Sequence, residues 1–311
     1  MSARTIAGGV WPTMITPFSS DGSIDYGTLE TLIEWYIARG VTGLFAVCQS
    51  SEMFFLSLKE RLALARACVK YAAGRVGVIA SGHVADDRAD QADEAKMMAA
   101  TGVDAVVLLT NRFARDHEGD DVFRKNLDRF IEVFPEDVML GFYECPTPYK
   151  RLLSPAMMKY GVESGRFGFL KDTSCRIGDI KAKLEIAKDS NFKLFNANTA
   201  TLLESLQAGA AGYSGIMTNF HADLYTWLCS NWSKDAVQAQ ELQDFICLAS
   251  VIEYQLYPVN AMYALQLEGL PFKLVSRRAN PAMFTESMRK EVEQMTRLSR
   301  AFSARYGMAP K

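Results

Sequence analysis

The sequence predicts an α/β protein, a (β/α)8 barrel followed by a helical C-terminal extension. Short apolar strand patterns alternate with helix-length amphipathic segments, and near-continuous apolar strands in this order favour a barrel over an open doubly wound sheet. A glycine also recurs at the predicted helix ends, where glycine accepts the left-handed backbone that stops a helix. Three residues later a small residue opens a strand, as seen for Gly40 and Gly43, Gly102 and Ala105, Gly165 and Gly168, and Gly209 and Gly212.

The elements follow in order along the chain. Strands are predicted at 10–16, from 43, at 76–80, 105–109, 138–142 and 167–170, at 193–195, and from 212. Barrel helices are predicted at 25–39, 57–73, 87–101, 119–134, 155–164, 177–188 and 200–208. Two helices carry explicit start signals, a capping box from Ser57 to Glu60 and an N-cap with a first-turn proline at Ser154 and Pro155.

After residue 219 the pattern becomes helical only. Helices are predicted at 221–231, 234–256, 259–268 and 282–305. We expect residues 1–231 to form the barrel. Residues 232–311 are expected to form an extension packed on the barrel or on a neighbouring subunit.

Composition points to small-molecule chemistry. The 311 residues are 49% hydrophobic and 23% charged, with a net charge of −2, which indicates no attraction to nucleic acid or to a membrane surface. No apolar run is long enough to span a membrane and the opening residues contain no signal-peptide core, so we expect a cytoplasmic enzyme. The six cysteines lack the spacing of a disulfide framework or a zinc site, so reduced thiols are expected.

In a barrel of this class, the functional groups come from the C-terminal ends of the strands. Lys171 ends the apolar run at 167–170, and Tyr143 ends the run at 138–142, so both are predicted to face one cavity. Burying an ammonium is costly, and a lysine that sheds its proton becomes a nucleophilic amine. No histidine and carboxylate cluster and no phosphate-binding glycine loop appears at these ends, so neither a metal nor a cofactor is predicted.

At these positions the chain resembles the pyruvate-dependent class I aldolases typified by N-acetylneuraminate lyase and dihydrodipicolinate synthase. The resemblance runs from about residue 8 to residue 219. Its marks are the Pro12-x-x-x-Thr16-Pro17-Phe18 segment, Glu52 after the second strand, Tyr143-x-x-Pro146 after the fifth and Lys171-Asp172 after the sixth. It implies that Lys171 forms a Schiff base with a 2-oxo acid and that Tyr143 transfers protons.

The resemblance also covers the loop after the second strand. The family has Gly-Ser/Thr-Thr-Gly-Glu where this chain has residues 48–52. By position, Ser50 keeps a hydroxyl and Ser51 a backbone amide for the substrate carboxylate. Gln49 replaces the hydroxyl that in the family lies in a proton relay beside the tyrosine, and Phe113 replaces the tyrosine at the far end of that relay.

Other departures bear on the substrate. Dihydrodipicolinate synthases carry an arginine five residues after the tyrosine, where this chain has Pro148, and amino-sugar lyases carry an acidic pair where this chain has the neutral segment 196–200. We therefore expect a different 2-oxo acid, with Asn198, Thr218 and Asn219 as neutral donors to its hydroxylated tail.

Three functions stay open. The first is a lyase that cleaves or forms a 4-hydroxy-2-oxo acid, with a small 2-oxo acid and an aldehyde as partners. The second is a Schiff-base dehydratase of a 2-oxo-3-deoxy sugar acid, and the third is a silent barrel that binds an oxo acid. From the resemblance, a homo-oligomer, dimer or tetramer, is expected.

Two further groups of residues are of types that can carry chemistry. Cys145 and Cys175 are expected near the same mouth, but no convincing histidine partner supports a reactive thiol. The three histidines, His83, His117 and His221, are interpreted as rim or structural groups.

Overall fold

The computed structural model describes residues 5–308 and has the predicted (β/α)8 architecture. Its eight strands form one parallel sheet in the order β1-β8-β7-β6-β5-β4-β3-β2. The strands are β1 (Gly9–Val10), β2 (Gly43–Val47), β3 (Gly77–Ala80), β4 (Ala105–Leu109), β5 (Met139–Tyr143), β6 (Phe167–Asp172), β7 (Lys193–Asn196) and β8 (Gly212–Tyr213). The fold prediction is confirmed.

The first strand is shorter than the predicted 10–16. Pro12 has no N–H to donate to a ladder, so regular pairing stops before it. The chain continues alongside β2 nonetheless: Phe45 donates its N–H to the Pro12 carbonyl at 2.9 Å, and Thr13 and Phe45 form an isolated parallel bridge. This bridge closes the barrel between its first and second strands.

Helices cover the outside of the barrel and form the extension. The barrel helices are α1 (Tyr26–Ala38), α2 (Leu58–Ala72), α3 (Arg88–Ala99), α4 (Asp120–Val133), α5 (Pro155–Glu163), α6 (Ile177–Ala187), α7 (Leu202–Gln207) and α8 (Thr218–Asn231). The extension contains α9 (Ala236–Ala249), α10 (Val259–Leu267) and α11 (Glu286–Arg305).

The predicted helix signals have the expected geometry. The Ser57 capping box and the Ser154 N-cap are both formed. All four predicted stop glycines have positive φ, from 64° at Gly165 to 100° at Gly209. The small residue that opens β2 has a packing reason as well, because a Cβ on Gly43 would lie 2.2 Å from the Trp11 ring at the base of the barrel.

The extension differs from its prediction in one place that matters for the site. The sequence predicts a single helix at 234–256, but α9 ends at Ala249 and a 3-10 turn, Ser250–Tyr254, follows. The Ser250 hydroxyl donates to the Cys247 carbonyl at 2.7 Å, and a hydroxyl bonded to a preceding carbonyl competes with regular helix. Helices α10 and α11 pack against each other and against α8, which holds the extension on the barrel.

No described helix combines the length and the apolar character needed to cross a bilayer. Residues 1–4, in the opening segment predicted to lack a signal-peptide core, and residues 309–311 at the end of the extension lie outside the described part of the chain.

Candidate active site

Lys171 and Tyr143 lie side by side at the C-terminal end of the barrel. They are direct partners in the register of β5 and β6, and strand alternation turns both side chains into the barrel. The Lys171 Nζ lies 4.6 Å from the centre of the Tyr143 ring, and the two residues are only 4% and 3% exposed. The amine and the phenol therefore share one enclosed pocket.

The floor of this pocket is aromatic. The Phe45 ring lies 5.7 Å from the Tyr143 ring and 6.0 Å from the Phe169 ring. Phe169 stacks on Phe195 at 4.7 Å, and below them Trp11 seals the base of the barrel. These rings replace water beneath the amine and supply no hydrogen-bond acceptor for an ammonium.

This burial changes both acid-base groups. Loss of solvent lowers the pKa of Lys171 from its usual 10.5 to about 8, although Cys48, Cys145 and Glu253 act in the opposite direction. Burial also raises the pKa of the Tyr143 phenol well above 10. At neutral pH the pocket thus holds an amine that readily loses its proton beside a phenol that retains its own.

The loop at 48–52 forms a tight turn over this pair. The amides of Ser51 and Glu52 donate within the turn, to the carbonyls of Cys48 and Gln49 at 3.2 and 3.1 Å. The Ser51 hydroxyl is also used locally, because it donates to the Cys48 carbonyl at 2.7 Å. The Gln49 amide donates to no backbone carbonyl of residues 5–308, and the Ser50 amide bonds to the Cys48 sulfur, a weak acceptor. These two, rather than the Ser51 amide, are therefore the more available donors of this turn.

Gln49 connects to Tyr143 through a thiol. The Cys145 thiol donates to the Gln49 Oε1 at 3.3 Å, and the Tyr143 phenol forms a hydrogen bond with the Cys145 sulfur. Burial raises the pKa of Cys145 to about 11, so the thiol keeps its proton. Gln49 has no hydroxyl to take part in a relay, and a protonated thiol instead bridges its side chain and the phenol.

The three predicted tail-binding residues lie in different surroundings. Asn198 is half-buried near the rim, and its Oδ1 accepts the backbone N–H and the hydroxyl of Thr201, both at 3.1 Å. Thr218 is buried, with its hydroxyl on the Gly215 carbonyl at 2.7 Å. Asn219 is also buried, and its amide group is fully occupied by protein partners: the Tyr36 hydroxyl, the carbonyls of Thr13 and Ile216, and the Tyr257 hydroxyl.

Tyr257 belongs to the extension, and sequence reasoning missed it. Asn219 donates to its hydroxyl at 3.2 Å, and Ser50 forms a side-chain hydrogen bond with it. A second segment of the extension, between α10 and α11, is held on the 48–52 loop by Glu52, whose Oε2 accepts the amides of Arg277 and Arg278 at 2.8 and 2.7 Å. The extension is therefore part of the wall of the site.

Glu253 is the second residue that sequence reasoning missed. It lies in the 3-10 turn Ser250–Tyr254 and is half-buried. Among residues 5–308 its carboxyl group has no hydrogen-bond or ion-pair partner, and it interacts with nearby charges only at longer range. Burial raises its pKa to about 7, against an opposing effect of the nearby Lys171. A carboxyl group that is partly protonated at neutral pH therefore lies within electrostatic reach of the amine.

The remaining candidates lie elsewhere. Phe113 packs among its own aromatic neighbours, with ring centres 5.6 Å from both Phe123 and Phe130. His83 and His221 are buried, and burial lowers the pKa of each to about 3, whereas His117 is exposed beside Asp116. All six cysteines, which lie within the described residues, are unpaired thiols, and no group of three or more potential metal ligands is found among residues 5–308.

Comparison with known proteins agrees with this geometry. A model described as the dihydrodipicolinate synthetase family matches residues 7–298. The 4-hydroxy-tetrahydrodipicolinate synthase of Shewanella pealeana is 26% identical over 260 residues, which cover 83% of this chain and 86% of that protein.

Solved structures share the fold at lower identity. The E. coli K12 prophage protein YagE, solved in complex with pyruvate, superposes with a TM-score of 0.84 at 20% identity and covers 94% of this chain and 98% of its own. The dihydrodipicolinate synthase of Acinetobacter baumannii, also solved with pyruvate, has a TM-score of 0.83 at 22% identity, with 94% and 99% of the two chains covered.

The family match covers almost the whole described chain, and it includes both strands that carry the amine and the phenol. The resemblance predicted from the sequence is therefore confirmed. This chain belongs to the dihydrodipicolinate synthetase family and is a lyase of the aldolase type.

Proposed function

We propose that this enzyme cleaves or forms a 4-hydroxy-2-oxo acid through a Schiff base between Lys171 and the keto carbon, with pyruvate or a related 2-oxo acid as the bound partner. The observation that carries this proposal is a buried amine with a pKa of about 8, held 4.6 Å from the ring of a buried phenol. A neutral amine is the form that attacks a ketone. The phenol is the only acid-base group of the pocket that is a direct strand partner of the lysine.

The phenol has a defined part in each step. The amine adds to the keto carbon, and the Tyr143 phenol donates its proton to the resulting hydroxyl, which leaves as water. This leaves an iminium cation beside a phenolate, and the cation stabilises the phenolate in a pocket where burial otherwise favours the phenol. The phenolate then takes the proton of the C4 hydroxyl while the electrons of the C3–C4 bond move towards the iminium nitrogen, giving an enamine and an aldehyde.

The 48–52 loop is suited to hold the substrate carboxylate. The Gln49 amide binds no carbonyl, and the Ser50 amide bonds only to the weakly accepting Cys48 sulfur. Adjacent backbone N–H groups in a turn form an anion-binding concavity. Ser50 adds a hydroxyl that is already ordered by Tyr257. A 2-oxo carboxylate bound there would lie beside the Lys171 pocket.

The other end of the substrate is expected to be neutral and hydroxylated. Pro148 supplies no cation for an aldehyde carboxylate, and Glu253 adds negative charge within electrostatic reach of the amine. A second carboxylate close to Glu253 would be repelled, whereas a hydroxyl could donate to it. This disfavours the acidic aldehyde of dihydrodipicolinate synthases.

Glu253 also supports a second candidate, the dehydration of a 2-oxo-3-deoxy sugar acid on the same lysine. Loss of a substrate hydroxyl as water requires a proton donor, and a carboxyl group with a pKa of about 7 is partly protonated at neutral pH. Product analysis separates the two reactions. Aldol cleavage gives pyruvate and an aldehyde, and dehydration gives one dehydrated oxo acid.

The shared step is tested by incubating the enzyme with pyruvate and borohydride. We expect a mass increase equal to one reduced pyruvate adduct, located on Lys171 and absent from Lys171→Ala. Lys183→Arg is a useful comparison. Lys183 is a second buried lysine, and this variant removes its amine but keeps a positive charge at the position. An adduct that persists in Lys171→Ala, or no adduct with any small 2-oxo acid, would refute the proposal. The homo-oligomer predicted from the family resemblance is to be measured on the same preparation by light scattering.

A further inference from the structure

A buried charge cluster lies directly behind the amine and the phenol. Glu144 follows Tyr143 and Asp172 follows Lys171, so strand alternation turns both carboxylates to the outer face of the barrel. Lys183, on α6, places its Nζ 2.6 Å from the Asp172 Oδ2 and also bonds to the Glu144 Oε1. One ammonium thus joins the ends of the two strands that carry the reacting groups.

Every carboxylate oxygen of the cluster has a donor. The Glu144 oxygens accept the amides of Leu153 and Thr173, both at 2.9 Å. The Asp172 Oδ1 accepts the amide and the hydroxyl of Ser174 at 2.8 and 2.6 Å. The side chains of Glu144 and Asp172 are completely buried, and that of Lys183 is 5% exposed. A saturated cluster of this kind has no capacity left for a ligand, so its role is internal.

Stability alone is a weak reason to bury three charges. The cost of removing ions from water often equals or exceeds their mutual attraction, and apolar side chains can replace buried ion pairs without loss of stability. Apolar side chains, however, do not fix the distance between the ends of two particular strands. Here that distance sets where the phenol lies relative to the amine, because Tyr143 and Lys171 are each one residue away from the cluster.

We propose that Lys183 is a positioning residue for proton transfer, because it holds Glu144 and Asp172 together and so fixes the phenol of Tyr143 against the imine at Lys171. This inference rests on the proposed Schiff-base function. Proton transfer requires close approach of donor and acceptor, and a displacement of about 1 Å lowers the rate by roughly 100-fold. Imine formation is less sensitive to the position of the phenol, because water can replace the phenol as the proton donor to the departing hydroxyl.

Pyruvate alone provides a separate measurement of each step. Borohydride trapping reports the imine, and exchange of the pyruvate methyl protons in D2O, followed by NMR, reports the removal and return of a C3 proton. Glu144→Gln loosens β5 but keeps the pair between Lys183 and Asp172, because one amide oxygen cannot accept from Leu153, Thr173 and Lys183 together. Asp172→Asn loosens β6 instead.

We expect Glu144→Gln to lower the exchange rate by roughly 10-fold to 100-fold while the trapping rate stays within about 2-fold of the wild type. Asp172→Asn, which acts on the strand of the lysine, should lower both rates. The matched control is Glu268→Gln, which breaks a partly buried pair with Arg39 before β2, at the opposite end of the barrel. It should change neither rate.

The outcomes are distinct. Wild-type exchange in Glu144→Gln, or an equal fall of both rates in that variant, would overturn the positioning role. If Glu144→Gln does not fold, Lys183→Arg keeps the charge but changes the geometry of the contact, and it must lower exchange at least about 5-fold more than trapping. Absence of any adduct in the wild-type enzyme would refute the Schiff-base proposal itself, whereas normal adducts and normal exchange in all variants would refute only the inference about Lys183.

Discussion

The titration of Lys171 is the most direct physical consequence of the buried pocket. Burial lowers its pKa from 10.5 to about 8. At pH 7 about a tenth of such an amine is neutral, compared with roughly 1 part in 3,000 for a lysine with an ordinary pKa. The pocket thus increases the reactive fraction about 300-fold, which corresponds to about 3 kcal/mol at 1.36 kcal/mol per tenfold change.

Trace acetylation with acetic anhydride between pH 6 and pH 11, read by peptide mass spectrometry, measures this pKa in the absence of substrate. The extent of labelling depends on access, but the midpoint of its pH dependence reports the protonation of the amine. We expect a midpoint near pH 8 for Lys171. The exposed Lys159 provides an internal reference in the same sample.

A single substitution tests the electrostatic part of the argument. Glu253 raises the pKa of Lys171, so Glu253→Gln should move the Lys171 midpoint below the wild-type value. Glu163→Gln, which removes an exposed carboxylate paired with Lys159, is the matched control and should leave it unchanged. A wild-type midpoint near pH 10 would refute the claim that the pocket excludes water. An unchanged or higher midpoint in Glu253→Gln would show that this carboxylate does not act on the amine.

Three further results are expected. Tyr143→Phe should retain borohydride trapping of pyruvate but lose methyl-proton exchange by about 100-fold to 10,000-fold, and equal exchange in the two proteins would exclude the phenol as the acid-base group. Cys145→Ala, which removes the bridge between the phenol and the glutamine amide, should slow exchange by about 2-fold to 10-fold relative to Cys145→Ser, and identical rates would show that the thiol carries no proton. Gly43→Ala should lower the free energy of unfolding in urea by about 1–3 kcal/mol, because the added Cβ would meet the Trp11 ring. The control is Gly178→Ala in α6, where nothing lies within 4 Å of the added Cβ, and it should stabilise the fold by up to about 1 kcal/mol.

The sequence predicted the barrel and its reacting pair because both depend on local signals. Apolar runs and stop glycines are short patterns, and the fold places the residue that ends a strand at the mouth. Tyr143 and Lys171 therefore needed only the correct strand ends. Strand alternation likewise places Asp172 on the opposite face, where the structure has it bonded to Lys183.

The residues that sequence reasoning missed come from segments that fold back over the site. Glu253 lies within a predicted helix that continues to residue 256, and Tyr257 comes directly after it. Nothing local in the sequence marked the change of path after Ala249. Lys183 lies in an amphipathic helix, where a lysine is most often solvated. The sequence did contain a signal for Lys183. Glu144 directly follows Tyr143, on the strand next to that of Asp172, and two buried carboxylates so close together need a buried cation.

Two buried lysines at the same end of this barrel have opposite acid-base behaviour, and the alternation of side chains along the strands explains why. Lys171 faces aromatic rings, and burial lowers its pKa. Burial acts on Lys183 in the same direction, but the adjacent Glu144 and Asp172 outweigh it and the net pKa is raised. Since side chains alternate with a period of two, a shift of one residue in β5 or β6 would bring a carboxylate into the pocket and turn the phenol or the amine towards the helices. The interior can keep a neutral nucleophile only because the charges that brace the strands lie on the other face.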